Sequence, residues 1–312
     1  MPVSPHISVI SPVYQSGNLV DSLVKRISAA LDQLTSDYEI ILVEDGGTDD
    51  SWQKIQENCA RHPNLRGIKL SRNFGQQAAI QAGLDASSGQ YVLVLDCDLQ
   101  DRPEEIQHLY AKAMDGYDVV IASRQDRQDG FFKKMLSSLF NRVMSYLTET
   151  DQDASVANFA LYSRKAVNAL NEMHDYNRYY PMMAQWIGFR AVKVKIQHAQ
   201  REDGKSSYSF RKRLSLAIDT MLMFSDKPLR LAIKAGVYLS LASITAAMVL
   251  VLLYITGDVS APGWMSLALL ICFFSGSIIS VLGIVGLYVG RIFETVKMRP
   301  TYLIDHELNK PS

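Results

Sequence analysis

From Ile7 to Ser123 short apolar runs alternate with amphipathic stretches. The runs Ile7–Ser11, Glu39–Val43, Leu65–Leu70, Tyr91–Asp96 and Val119–Ser123 have the length and β-branched content of buried strands. Between them, Leu19–Leu34, Ser51–Arg61, Gln76–Ala86 and Pro103–Met114 carry apolar residues at helical spacing. Pro103 followed by Glu104 and Glu105 suits a first helical turn, where a missing N–H costs nothing and acids meet the helix dipole. Such alternation predicts an α/β fold with a mainly parallel sheet and helices on both faces. Ligands of such sheets bind outside the carboxyl ends of the strands. That rule points to Glu44–Asp50 and Cys97–Asp101.

After about Lys205 the pattern changes. Ala235–Gly257 and Val259–Gly290 contain no Asp, Glu, Lys or Arg. Each exceeds the roughly 20 apolar residues that cross a bilayer as a helix, which predicts spans at about 235–256 and 264–289. Lys227, Arg230 and Lys234 precede the first, and Arg291, Lys297 and Arg299 follow the second, whereas the connector Gly257–Gly263 has neither Lys nor Arg. By the positive-inside rule both ends are cytoplasmic and the spans form a hairpin, with Trp264 as an interfacial anchor. Small residues along the spans (Gly236, Ser240, Gly276, Gly283, Gly286) predict helix packing within or between subunits, and with it a homo-oligomer, a tetramer being one form. The competing reading, core helices of a soluble protein, does not need so long an uncharged run. Ser209–Phe224, with Arg211, Lys212 and Arg213 at its start, and Phe131–Met135 combine basic and apolar residues. They suit helices lying at a membrane surface; an amphipathic helix packed on the domain is the alternative.

Composition narrows the class. A chain of 312 residues holds one large domain and something smaller. Lys plus Arg and Asp plus Glu number 32 each, so no general nucleic-acid binder is expected. Three scattered cysteines predict neither a disulfide framework nor a zinc site and fit a reducing compartment. Met1–Pro5 run straight into the first strand, without the pattern of a signal peptide.

Three segments carry candidate chemistry. Tyr91-Val-Leu-Val-Leu-Asp96-Cys-Asp98-Leu-Gln100-Asp101 is an apolar strand ending in carboxylates two residues apart. In extended backbone Asp96 and Asp98 fall on one side. There they can hold a hard cation, Mg²⁺ or Mn²⁺, with Gln100 as a further oxygen donor. Solvated loop carboxylates are the alternative. Ile40-Ile-Leu-Val-Glu44-Asp45-Gly46-Gly47-Thr48-Asp49-Asp50-Ser51 is a second strand running into acids and glycines. Its carboxylates suit a base N–H or ribose hydroxyls, and Asp49 or Asp50 suits a helix cap. In Ser71-Arg72-Asn73-Phe74-Gly75-Gln76, a glycine opens a helix, offering N–H groups to a phosphate with Arg72 close by.

Together and in this order these motifs resemble the family 2 glycosyltransferases of the GT-A fold. Arg201-Glu-Asp-Gly-Lys-Ser206-Ser-Tyr-Ser-Phe-Arg211, Phe224-Ser-Asp-Lys-Pro-Leu-Arg230, the two spans, Gly286–Arg291 and Arg299-Pro-Thr-Tyr302 resemble the polyprenyl-phosphate members. That group includes dolichol-phosphate mannose synthase and the bactoprenol glucosyltransferases. The resemblance implies a GT-A domain at 1–204, a juxtamembrane amphipathic segment at 205–230, the two spans within 231–291 and a cytoplasmic tail at 292–312. It implies an integral protein of the bacterial inner membrane that moves a hexose, glucose first, from a UDP-sugar to undecaprenyl or another polyprenyl phosphate for cell-envelope glycan or O-antigen modification. Asp45, with Glu44, Arg72 and Asp101 nearby, would hold the nucleotide sugar, and Asp96, Asp98 and Gln100 the metal and diphosphate. Arg124, Arg201, Ser206 and Arg211 would hold the acceptor phosphate, to which guanidinium groups bind through paired hydrogen bonds.

One departure stands out. Relatives often read Gly-Asp-Phe-Arg-Leu where this chain has Ala157-Asn158-Phe159-Ala160-Leu161. An amide accepts no proton at neutral pH, and Asp153 is the substitute base. A lipid phosphate, with a second pKa of about 6, is already ionised and needs none. Three rivals remain: a processive synthase, which two spans and the lack of Gln-x-x-Arg-Trp disfavour; an inactive nucleotide-sugar-binding scaffold; and a channel, disfavoured by spans without ionisable residues.

Overall fold

A computed structural model describes residues 5–124, 146, 156–173, 175, 178–196, 225, 227–256 and 263–310. The chain divides into two units: 1–131, 153–206 and 299–312 form one, and 132–152 with 207–298 form the other. The first unit contains strands β1 (Ile7–Val13), β2 (Tyr38–Glu44), β3 (Leu65–Leu70), β4 (Tyr91–Val94), β5 (Val119–Arg124), β6 (Val156–Ser163), β7 (Ala191–Ile196) and β8 (Ile304–Leu308). Its helices are α1 (Gly17–Leu31), α2 (Ser51–Arg61), α3 (Gln76–Ala86), α4 (Ile106–Met114), α5 (Arg164–Glu172) and α6 (Tyr180–Trp186). Pro103–Glu105 forms a 3₁₀ turn that leads into α4, with the proline at its first position.

The strands make one sheet in the order β7-β5-β6-β4-β1-β2-β3-β8. β1 pairs in parallel with β2 and β4, β2 with β3, and β5 with β7. β6 lies antiparallel between β4 and β5, and β8 antiparallel on β3. Strands β1 and β2 are buried almost throughout because both faces are covered. Val9, Ile40 and Leu42 pack with α1, α2 and α4 residues such as Leu23, Ile55 and Leu109. Ile10, Ile41 and Val43 pack on the opposite face with Ile80, Val167 and Met183 of α3, α5 and α6. β1 passes to β2 on one side and pairs with β4 on the other, so the crossovers diverge between β1 and β4. A crevice opens at such a point beyond the carboxyl ends of the strands.

Three strands escape the sequence pattern. β6 and β7 follow the region where strand–helix alternation ceases, and β8 lies in the segment read from sequence as a tail. Residues 304–308 are instead the edge strand of the sheet. Ile304-Asp-His-Glu-Leu308 is too short and too polar to announce itself, and its place is set by pairing with β3.

The second unit contains α7 (Lys227–Thr256) and α8 (Trp264–Val296). Both helices outrun the uncharged segments. α7 starts at Lys227-Pro228, where the proline suits a helix start, and α8 continues through Arg291 to an ion pair between Glu294 and Lys297 at 2.6 Å. Lys227–Ala246 and Phe273–Val296 have mean hydropathies of 1.3 and 1.9 and are long and apolar enough to cross a membrane. Their apolar side chains are uncovered, with Ile255 76% and Ile279 69% exposed. Hydroxyls turn back onto the helix: Ser243 donates to Leu239 O at 2.8 Å and Ser280 to Gly276 O at 2.8 Å. The stretches 131–135 and 209–224, read as interfacial, and the connector 257–262 lie outside the described residues.

At the amino ends of the strands a buried polar cluster ties β1, β2, β3 and β8 together. Glu39 accepts from Ser8 Oγ at 2.7 Å, Ser88 N at 2.8 Å and Arg66 Nη1 at 3.0 Å. Arg66 Nη2 reaches Glu307 at 2.9 Å. A cleft of about 890 Å³ adjoins this cluster and is lined by none of the acids at the carboxyl ends of β2 and β4. Burial pushes the Glu39 carboxyl up, but its hydrogen bonds outweigh burial and hold it below the ordinary glutamate value. Its stabilisation is therefore present above the unfolded-state pKa and is lost as pH falls through the folded one. Glu39→Ala should destabilise the purified chain by about 3 kcal/mol, since Arg66 keeps its charge in a buried site. Thermal unfolding against pH checks this: the deficit should be full at neutral pH and shrink in acid.

Candidate active site

The crevice at the carboxyl edge is built from three loops. The first follows β2. Glu44, 1% exposed, accepts at Oε1 from Gly47 N, which folds the acids and glycines into a tight turn. Burial raises the Glu44 carboxyl. Gly46 lies at φ 63°, and a Cβ there would sit 2.2 Å from the backbone carbon of Arg72. Only glycine permits both the left-handed backbone and this approach.

That approach brings in the second loop, after β3. Asp45 is buried and accepts from Phe74 N at 2.7 Å and Gly75 N at 2.9 Å. Burial pushes its carboxyl up; the two amides and the charge of Arg72 work the other way without cancelling the rise. The Phe74 and Gly75 amides, just ahead of the α3 start, are thus taken by a protein carboxylate, because a buried acid needs donors. Arg72 is exposed and stacks with its guanidinium carbon 4.2 Å from the Phe74 ring centroid.

The third loop follows β4. Asp96 accepts from Gln76 Nε2 at 2.7 Å, so the first residue of α3 joins the β4 acids to the loop held by Asp45. Asp98 Oδ1 accepts from Gln100 N at 3.1 Å, and Leu99 between them adopts φ 57°. A bulky residue in the left-handed region is strained, which marks this turn as held for a purpose. Asp101 is buried. On the neighbouring strand, Asn158 Nδ2 lies 3.5 Å from Asp96 Oδ1.

The structure therefore brings Glu44, Asp45, Arg72, Asp96, Asp98, Gln100 and Asp101 to one edge of the sheet. Among the described residues no group of three or more His, Cys, Asp or Glu converges. Two carboxylates still fit a hard cation that completes its shell with diphosphate and water. Arg124 ends β5, paired with Ile196. Asp153, Arg201, Ser206 and Arg211 lie outside the described residues. Sequence reasoning assigned no part to Gln76, whose side-chain amide bridges two motifs. It also left the loop after β1 unassigned. There Gly17 N donates to Asp49 at 3.1 Å and Ser16 N to Ser51 Oγ at 3.0 Å. Asp49 also accepts from Ser51 N, the first amide of α2, at 3.3 Å and from Ser51 Oγ at 2.8 Å, whereas Asp50 at the N-cap position makes no side-chain cap bond.

Comparison with known proteins gives the family and the fold. Residues 8–171 match the model of glycosyl transferase family 2. The uncharacterized glycosyltransferase YkcC of Bacillus subtilis (strain 168) is 34% identical over 305 residues, 97% of this chain and 94% of that protein. Glucosyl-3-phosphoglycerate synthase from Mycobacterium tuberculosis, in complex with Mn²⁺, UDP-glucose and phosphoglyceric acid, has a TM-score of 0.53 at 16% identity, over 70% of this chain and 78% of that one. Its complex with Mn²⁺, UDP and phosphoglyceric acid has a TM-score of 0.52 at 16% identity, over 70% and 77%. The likeness of these structures is one of fold, GT-A. With a family model covering more than half of it and a relative matched along nearly all of it, the chain belongs to glycosyl transferase family 2.

Proposed function

We propose that the protein transfers a hexose, glucose first, from a UDP-sugar to a polyprenyl phosphate at a membrane surface, with inversion at the anomeric carbon. One observation carries the donor half: Gln76 links Asp96 to the start of α3, and α3 begins on the loop gripped by Asp45. A nucleotide laid across that edge meets the Glu44–Asp45 turn with its base and ribose and the β4 acids with its diphosphate. The glucosyl-3-phosphoglycerate synthase complexes with UDP-glucose and Mn²⁺ favour this donor. The acceptor half is supported by α7 and α8, whose uncovered apolar residues suit hydrocarbon, and by the basic residues flanking them, which under the positive-inside rule favour both ends on the cytoplasmic side.

Asp96 and Asp98 would hold Mg²⁺ or Mn²⁺, which when bound offsets charge on the departing diphosphate. The lipid phosphate dianion forms its bond to C1 as the bond from C1 to the UDP oxygen breaks, giving a lipid phosphodiester and UDP. Charge balances without a proton, so Asn158 in place of a carboxylate is no obstacle. Arg124, Arg201, Ser206 and Arg211 serve the acceptor phosphate, leaving positioning and charge stabilisation as the main contributions.

Membranes carrying the protein, given radiolabelled UDP-glucose and undecaprenyl phosphate, should yield a labelled lipid that releases glucose in mild acid. Asp98→Asn should lower this transfer by about a hundredfold or more. Label reaching only water would show hydrolysis, and turnover by Asp98→Asn near that of the wild type would remove the metal assignment. For topology, a Ser260→Cys variant should react with an impermeant thiol reagent in intact cells. Reaction only after lysis would place the connector on the cytoplasmic side and exclude the hairpin.

A further inference from the structure

The segment that follows α8 does more than close the sheet. Tyr302, six residues beyond Val296, donates its phenol to Asp85 Oδ2 at 2.8 Å. Leu303 accepts from Ser71 N at 2.9 Å. Ser71 is the first residue after β3 and opens the loop Arg72–Gly75; Asp85 lies near the far end of α3, the helix which that loop begins. Two consecutive residues after α8 thus hold both the entry to the loop and the far end of its helix.

The remaining anchors of this unit are at the active edge. Asp45 holds the Phe74 and Gly75 amides, and Gln76 holds Asp96. Inside α3, Gln81 Nε2 donates to Asp85 Oδ1 at 2.7 Å and to Asn171 at 3.1 Å, while Gln81 Oε1 accepts from Tyr180 and Arg178. The Tyr302 phenol is the outermost member of this row, and Tyr302 also packs against the core on the α3 face. A row of charged and neutral hydrogen bonds holds a helix in one register along its axis. A shift at Asp85 is felt at Gly75 because α3 is a rigid body of 11 residues.

We propose that residues 302–308 are a positioning clamp for loop 71–76, with Tyr302 as its principal positioning residue. The segment follows the second apolar helix along the chain with no other helix or strand between them. The proposal rests on the reading that this loop lines the donor site, and it adds a control point to that reading.

The test uses the full chain in detergent micelles and compares wild type, Tyr302→Phe and Asp85→Asn by amide hydrogen exchange. Tyr302→Phe removes one oxygen and should speed exchange of the Phe74 and Gly75 amides about fivefold, with β1 and β2 amides unchanged. Asp85→Asn can keep its carbonyl oxygen for Gln81 Nε2 and donate its NH2 to the Tyr302 phenol oxygen, so the link survives with its direction reversed and exchange should stay within twofold of wild type. Unchanged exchange at Phe74 and Gly75 in Tyr302→Phe overturns the proposal, and so does a uniform rise through the sheet, which would mean general loss of stability. In parallel, the KM for UDP-glucose with Mn²⁺ should rise about fivefold in Tyr302→Phe while kcat holds within twofold. A local exchange effect in a wild-type protein that binds no Mn²⁺–UDP would keep the clamp and overturn the donor assignment instead.

Discussion

The carboxylate of Asp45 is the hinge of this site's construction. It is buried, so its charge must be met by donors, and the donors it takes are two backbone amides from a loop 29 and 30 residues away. Hydrogen bonds to a buried charge are each worth about 1.5–3 kcal/mol, and breaking them strands that charge. Loop 72–75 therefore cannot leave the end of β2 without exposing a bare carboxylate. Gly46 lets the two backbones touch where any side chain would collide. From that contact the rest follows: α3 starts at a fixed point, Gln76 reaches Asp96, and the β4 acids stand opposite the β2 turn. Asp45 and Asp96 are thus placed together through residues 74–76.

The two ends of the sheet do different work. The carboxyl edge concentrates strain, acid groups and close backbone approach, as expected where ligand binding is built at the cost of local stability. The amino edge holds Glu39, Arg66 and Glu307 in an ion cluster that joins three parallel strands to β8. β8 spans both regions, since its first residues lie beside the end of β3 and its last beside the middle of that strand. Along the chain this edge strand comes after both apolar helices, far from the strands it completes.

Much of the first unit was legible from apolar periodicity. α2, β3 and α3 have the bounds that pattern predicts, because each is flanked by turn chemistry and buries one unambiguous face. Asp96 and Asp98 were legible because an apolar strand runs straight into acids two residues apart, and the structure sets both just beyond the end of β4. β6, β7 and β8 were not. β7, Ala191-Val-Lys-Val-Lys-Ile196, has clear alternation, but the helix before it, α6, is only 7 residues long and gives no strand–helix period to read, and β8 owes its existence to β3. The roles of Gln76 and Tyr302 were hidden for a different reason. A polar side chain shows its partner only when the chain has folded, and these partners lie 20 and 217 residues away.

Asp96 and Asp98 would form half of a metal site, the other half arriving with the diphosphate of the nucleotide. Electron paramagnetic resonance of Mn²⁺ titrated into the purified protein tests it most directly. Wild type should leave most Mn²⁺ free when alone and bind it at one site per chain when UDP is added, and Asp98→Asn should lose that gain. Tight Mn²⁺ binding without UDP, or a UDP-dependent signal that survives Asp98→Asn, would contradict the account.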